Sequence, residues 1–250
     1  MTKPKNIKIG DIDNPSEIRS LFPSYMIECL KNLETINLQN CGSLEVIFEH
    51  EELNVGESHV ASVLDQLRKL ILCQLDNLMH IWKKGPEKMS GFENLSLLKV
   101  SGCNSLTYLF SSSVAKLLVM LEKIEVTHCE KIEEILARAG EEEEENDVLF
   151  CKVNSILLED LPSLKCFSQE TNAFEWPLLK EITVIKCPTL STFIPSNLNT
   201  PKLKRVYDEL PRGQRRTCHW KGELNATIEH IFKGKVCHIH TTNIPLIGEF

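Results

Sequence analysis

Leu33-Glu34-Thr35-Ile36-Asn37-Leu38-Gln39-Asn40-Cys41-Gly42-Ser43-Leu44 spaces its apolar side chains three, two, three and three residues apart. Adding Leu30, Ile47 and Phe48 gives eight positions at offsets 0, 3, 6, 8, 11, 14, 17 and 18. The same eight recur over Leu64–Trp82, Phe92–Phe110, Leu118–Leu136, Phe150–Ser168 and Trp176–Ile194. Of these 48 positions only Ser168 is not apolar, in a chain whose apolar fraction is 42%. Spacing of this kind belongs to stacked units that share one elongated core, because a single unit cannot bury its own apolar face.

The centre of each unit reads L-x-x-L-x-L-x-x-(C/L)-x-x-L, the leucine-rich-repeat pattern. Offsets 6 and 8 predict a short strand with alternate residues inward. Stacking pairs each strand with the next, so the expected fold is an α/β leucine-rich-repeat solenoid. It is a curved horseshoe with a parallel sheet on the concave side and loops or short helices on the convex side. Units start 34, 28, 26, 32 and 26 residues apart, which puts the length variation on the convex side. There the segments 24–30 and 112–118 each open on serine before helical spacing, and 56–64 reads as a third helix. The acidic run Glu141–Glu145, followed by Asn146 and Asp147, reads as a solvated loop.

Residues 30–199 are thus six repeats, 1–29 a degraded repeat or N-terminal cap, and 200–250 a C-terminal cap and basic tail. In the degraded unit Ile7, Ile12, Ile18, Leu21 and Phe22 fit the offsets, with Gly10 and Pro15 in between. Residues 20–49 align on 108–137 with ten identities, and offset 11 runs Cys, Leu, Cys twice, which points to duplication of a three-unit block.

Net charge is −7. Residues 1–200 hold 19 basic and 30 acidic side chains, and 201–250 hold 9 and 5. An acidic solenoid is a poor nucleic-acid binder, since phosphate chains are held by Lys and Arg; the tail's Arg212, Arg215 and Arg216 read as a solvated loop. The start Met1-Thr2-Lys3-Pro4-Lys5 is not a signal peptide, and the apolar run Leu117–Leu121 is too short to span a bilayer, so a cytoplasmic protein without membrane contact is expected. The sequons at Asn94 and Asn225 carry no weight without secretion. Cys41, Cys103, Cys129 and Cys187 share the inward offset of Leu75 and Leu161, so they read as small buried hydrophobes rather than disulfide partners.

No phosphate-binding glycine loop, nucleophile elbow or H-E-x-x-H is present. Cys218, His219, Cys237, His238 and His240 gather in the tail, but the first two are adjacent, which does not suit a zinc site. His128 has no sequence neighbour that would make it a base. No enzyme, cofactor, metal or small-molecule substrate is expected.

The strand face remains. Offsets 5, 7 and 9 point away from the core and form the candidate partner-binding surface: Thr35, Asn37 and Gln39; Lys69, Ile71 and Cys73; Leu97, Lys99 and Ser101; Lys123, Glu125 and Thr127; Ser155, Leu157 and Glu159; Glu181, Thr183 and Ile185. Ile71, Leu97, Leu157 and Ile185 are apolar where water alone favours polar residues, as at protein contacts. Lys69, Lys99 and Lys123 suggest a local basic stripe.

The phrases Cys41-Gly42-Ser43-Leu44-Glu45-Val46-Ile47-Phe48, His128-Cys129-Glu130-Lys131-Ile132-Glu133-Glu134-Ile135, Leu158–Phe167, Lys186–Leu190 and Trp220–Ile228 add detail beyond a generic repeat. With them the chain resembles, over about residues 15–235, the C-terminal repeats of plant intracellular disease-resistance proteins of the coiled-coil, nucleotide-binding class. The resemblance implies recognition of pathogen effectors or modified host proteins, and restraint of a neighbouring nucleotide-binding domain. The coiled coil and that domain are not in this sequence, so nucleotide exchange and signalling assembly by this chain alone are not expected. A ubiquitin-ligase substrate adaptor is the alternative, though 1–29 shows no F-box-like helix; a secreted receptor would need a signal peptide and capping cysteines.

Overall fold

The computed structural model describes residues 5–10, 19–23, 32–49, 64–83, 92–137, 149–169, 174–195, 198–209 and 217–239, with the side chains of Gly10, Pro23 and 233–239 left aside. In chain order the strands are β1 (Asn6–Gly10), β2 (Ser20–Pro23), β3 (Thr35–Gln39), β4 (Val46–Glu49), β5 (Lys69–Cys73), β6 (His80–Lys83) and β7 (Leu97–Ser101). After helix α1 (Ser112–Leu117) follow β8 (Lys123–Thr127), β9 (Glu134–Leu136), β10 (Ser155–Glu159), β11 (Cys166–Ser168), β12 (Phe174–Glu175) and β13 (Glu181–Ile185). Then come β14 (Leu198–Asn199), β15 (Arg205–Tyr207), β16 (Cys218–His219) and helix α2 (Leu224–Ile239).

One nine-stranded sheet, ordered β1-β3-β5-β7-β8-β10-β13-β15-β16, forms the strand face. It is parallel up to β15, and every pair in the six repeats is in register offset for offset: Thr35 opposes Lys69, Lys69 opposes Leu97, Leu97 opposes Lys123. All described positions of the eight-offset pattern are buried; Leu30 lies outside the described residues. Two of the spacings of three, from offset 0 to 3 and from offset 11 to 14, are tight turns. The carbonyl at offset 0 accepts from the N–H at offset 3, as in Leu64–Leu67, and offset 11 from offset 14, as in Leu75–Leu78. Each buried leucine-sized side chain contributes roughly 1.5–3 kcal/mol before chain entropy is subtracted.

The opposite side differs from the expected loops and helices. Among the described residues it carries short parallel strands, β2-β4-β6, β9 with β11, and β12 with β14, together with α1. The adjacent offsets 17 and 18 are both buried, and behind them the backbone of one unit pairs with the next, as Phe48 does with Trp82. Rings at these offsets stack through the array: Phe22–Phe48 at 5.7 Å, Phe48–Trp82 at 6.1 Å and Trp82–Phe110 at 5.9 Å. Farther on the ring moves from offset 18 to offset 17, in Phe167 and Phe193, which stack at 5.3 Å. Offset 18 of that unit is therefore free to be the small, buried Ser168.

Helix α1 begins on a different serine from the one expected. Ser111, in extended backbone, is the N-cap and accepts from Val114 N at 3.4 Å, while Ser112 is buried within the helix. The helical readings of 24–30 and of 56–64, save its last residue Leu64, and the acidic run 141–147 fall outside the described residues. In the degraded N-terminal unit the strand lies three residues earlier than the offsets suggest. Ile7 and Ile9, not Gly10 and Ile12, oppose Ile36 and Leu38. Phe22 still opposes Phe48, so this unit is three residues longer between its strand and its ring. Proximity to the β3 edge, which needs a partner for its N–H and C=O groups, outweighs the sequence spacing here.

At the other end the stack is closed. β16 pairs antiparallel with β15, and Leu224, Ile228 and Ile231 of α2 join the core cluster. Asn225 completes the closure: its Oδ1 accepts from Phe193 N at 2.9 Å and Ile194 N at 3.4 Å, and its Nδ2 donates to Ile194 O at 2.8 Å. The side-chain amide thus stands where the peptide of another unit would pair. Thr227, fully buried, accepts from Lys221 N and donates to Glu223 O, so this sequon is a structural cap.

Candidate functional site

The strand register arranges the outward residues in three rows that cross the sheet. Offset 5 runs Thr35, Lys69, Leu97, Lys123, Ser155, Glu181, and offset 7 runs Asn37, Ile71, Lys99, Glu125, Leu157, Thr183. Offset 9 runs Gln39, Cys73, Ser101, Thr127, Glu159, Ile185. Leu97 lies between Lys69 and Lys123, and Ile71 between Asn37 and Lys99. At a rung spacing of about 4.8 Å, neighbours in a row shield one another, so the residues are mostly half-buried rather than free.

Two of them are not outward in any useful sense. Thr127 is buried because its hydroxyl turns to Ser101 Oγ at 2.8 Å, and Thr183 is buried between Leu157 and Tyr207. The expected lysine stripe is also interrupted. Lys99 Nζ lies 3.3 Å from Glu125 Oε2, with the side chains 43% and 31% exposed, so this lysine is neutralised in place while Lys69 and Lys123 are fully outward. Cys73 is half-buried, and burial raises its thiol above the ordinary value.

A feature that sequence reading missed borders the sheet where the strands end. Asn40, Gln74, Gly102, His128, Asp160 and Lys186, all at offset 10, have φ of 55, 54, 65, 55, 54 and 51°. This left-handed residue turns the chain while its N–H continues the ladder, as from Gln74 N to Ser101 O at 2.8 Å and from His128 N to Glu159 O at 2.9 Å. Offsets 10 and 12 of five units then line a groove of about 640 Å³, in which Asp76, Asn104, Glu130 and Asp160 are the polar walls. Asn104 links two units, donating to Asp76 Oδ1 at 3.0 Å and accepting from Glu130 N at 3.4 Å. His128 Nε2 stands 3.9 Å from Asp160 Oδ2, too long for a hydrogen bond. The available signal was an unbroken run of residues without a branched Cβ one place after each strand.

The inward cysteines form a second ladder. Cys41, Cys129 and Cys187 each donate from Sγ to the carbonyl two residues earlier at 3.3 Å. Cys103 N donates to Cys129 Sγ at 3.4 Å across neighbouring rungs. Both are buried as free thiols; the Cys103 thiol is pushed up by its hydrogen bond to Cys129 and by burial, and the Cys187 thiol by burial to about 12. In the tail Cys218 is exposed and His219 Nε2 lies 3.1 Å from Asp208 Oδ1. The side chains of Cys237, His238 and His240, and Arg212, Arg215 and Arg216, lie outside the described residues. Among the described residues no group of three potential metal ligands occurs, and no helix is long and apolar enough to cross a membrane.

A parallel ladder built on this pattern, with outward rows beside a polar groove, defines a leucine-rich-repeat solenoid, a class that typically mediates protein–protein interaction without catalysis. The family model for the leucine-rich repeats of plant disease resistance protein RPS2-like matches residues 3–130, just over half of the chain, and the chain belongs to that family. Comparison of the chain with the curated proteins and with the solved structures found no match.

Proposed function

We propose that this chain is a recognition module of plant defence whose strand face binds a protein inside the plant cell. That protein is a pathogen effector, a modified host protein or the nucleotide-binding domain of a parent receptor. The observation that carries the reading is the placement of apolar Ile71, Leu97, Leu157 and Ile185 on the outward rows of a rigid sheet. Apolar side chains on a surface with a polar rim mark protein contacts. Family membership supports the defence setting.

The test compares the chain with Leu97→Asp/Lys99→Glu in leaf tissue, each fused to a proximity-labelling enzyme. Met79→Ser, which alters an exposed residue off the strand face, serves as the control. Proteins labelled by the parent and control but lost with the double variant, at unchanged circular dichroism, are the expected result. Equal labelling by all three refutes the strand face as the binding surface.

A further inference from the structure

The two borders of the strand face carry opposite charge. Where the strands begin, Lys69, Lys123 and Arg205 occupy offset 5, with Glu181 as the exception. Where they end, Asp76, Glu130 and Asp160 line the groove together with His128, 3.9 Å from Asp160, and Lys186 lies beyond it at the next offset-10 position. Among the described residues none of those three cations lies within ion-pair distance of a carboxylate, and Glu130 has no cationic partner. The middle of the face, by contrast, neutralises itself through Lys99 and Glu125 at 3.3 Å. Five strand residues separate the borders by about 16 Å. That exceeds the Debye length of about 8 Å at physiological salt, so a partner meets two separate fields and not their cancelled sum.

We propose that this polarity fixes the orientation of the bound protein, resting on the strand face being the binding surface. The segment that docks presents cationic side chains to the Asp76–Asp160 groove, anionic side chains to Lys69 and Lys123, and an apolar centre to Ile71 and Leu97. Complementary charge of this kind steers encounter and fixes register more than it adds affinity.

A phage library of random dodecapeptides selected against the full chain tests it, with parallel selections on Asp76→Lys/Glu130→Lys, Lys69→Glu/Lys123→Glu and Leu97→Asp. All three variants alter groups away from the core, and circular dichroism checks that each is folded. Peptides enriched on the parent should combine Lys or Arg, apolar residues and Asp or Glu. The first variant should weaken them about tenfold and select acidic residues in place of basic ones, and the second should do the reverse. Absence of enrichment, or enriched peptides whose charges do not respond to either reversal, overturns the orientation reading. If Leu97→Asp also leaves the enriched set and its affinity unchanged, the strand-face reading falls with it; if Leu97→Asp alone abolishes binding, only the charge reading falls.

Discussion

Replacing Asn225 by Ala should unfasten the C-terminal end of the solenoid. The side chain supplies an acceptor to Phe193 N at 2.9 Å and a donor to Ile194 O at 2.8 Å, and both of those residues are fully buried. Truncation removes the partner of two N–H groups, those of Phe193 and Ile194, and of one C=O, at a part-buried site. Water can reach a part-buried site, so the low end of the roughly 1–3 kcal/mol cost applies; at about 1 kcal/mol for each group, about 2–3 kcal/mol is lost, less a few tenths because Ala is the better helix former. Asn225→Asp keeps the acceptor and loses the donor, so it should fall between the parent and Ala. In a stack where each unit meets only its neighbours, the loss should be local. Urea unfolding gives the free energy, and amide hydrogen exchange should speed up at Phe193 and Ile194 while Leu70 and Leu98 keep their protection. If Asn225→Ala stays within 0.5 kcal/mol of the parent and exchange is unchanged, the amide is not closing the stack at Phe193 and Ile194 and the cap assignment is wrong.

Cys218 should react with a thiol reagent within minutes at neutral pH while Cys41, Cys103, Cys129 and Cys187 remain unlabelled until unfolding, as peptide mass spectrometry would report. The raised thiol of Cys187, about 12 against an ordinary 9.0, stabilises the fold fully below the ordinary value; that contribution should decline as pH rises from 9.0 towards 12, and the decline should be shallower in Cys187→Val. Phe110→Ala, which interrupts the ring stack at Trp82 and Phe150, should lower stability by about 3–5 kcal/mol in denaturant titration. Lys186→Gly, at φ 51°, should raise the melting temperature by relieving a backbone strain of about 1 kcal/mol, whereas Gly102→Val, at φ 65°, should lower it.

The core was legible because it is written many times. An error at one position, such as Ser168, is outvoted by the other units, and the structure shows why that serine fits: the ring has shifted to Phe167. The rows of the strand face followed directly from period two once the register was known. What did not follow were interactions between units, because a single unit's pattern holds no term for its neighbour. The Lys99–Glu125 pair joins residues 26 positions apart, and Thr127 is buried with its hydroxyl bonded to Ser101 on the preceding rung and Glu159 opposite it on the next. The groove needed backbone geometry, since Asn, Gln, Gly, His, Asp and Lys at offset 10 have in common only the lack of a branched Cβ, which many loop residues share, whereas all six take a left-handed φ. The β1 register was misread for the converse reason. One degraded unit has no repetition to average over, and Ile12 mimics the offset that Ile9 fills.

The family match ends at residue 130, inside the fourth unit, while the ladder does not. β8, β10 and β13 remain parallel and in register, Ser155 opposing both Lys123 and Glu181. What changes near that point is the other side of the solenoid. The fourth unit has Ile135 and Leu136 where the earlier ones have a ring at offset 18, and Phe150 bridges the gap, 5.2 Å from Phe110 and 6.2 Å from Phe167. Sequence spacing lengthens to 32 residues across the same seam. A seam in the ring stack is compatible with an unbroken strand face because the nine-stranded sheet and the short strands behind the core are separate layers: ring position is decided behind the core, and rung spacing by backbone hydrogen bonds in front of it. Apolar Leu157 and Ile185, beyond the seam, therefore lie on the same continuous sheet as Ile71 and Leu97 before it. A partner that spans the face meets one surface, and its anchors can be drawn from both halves of the array.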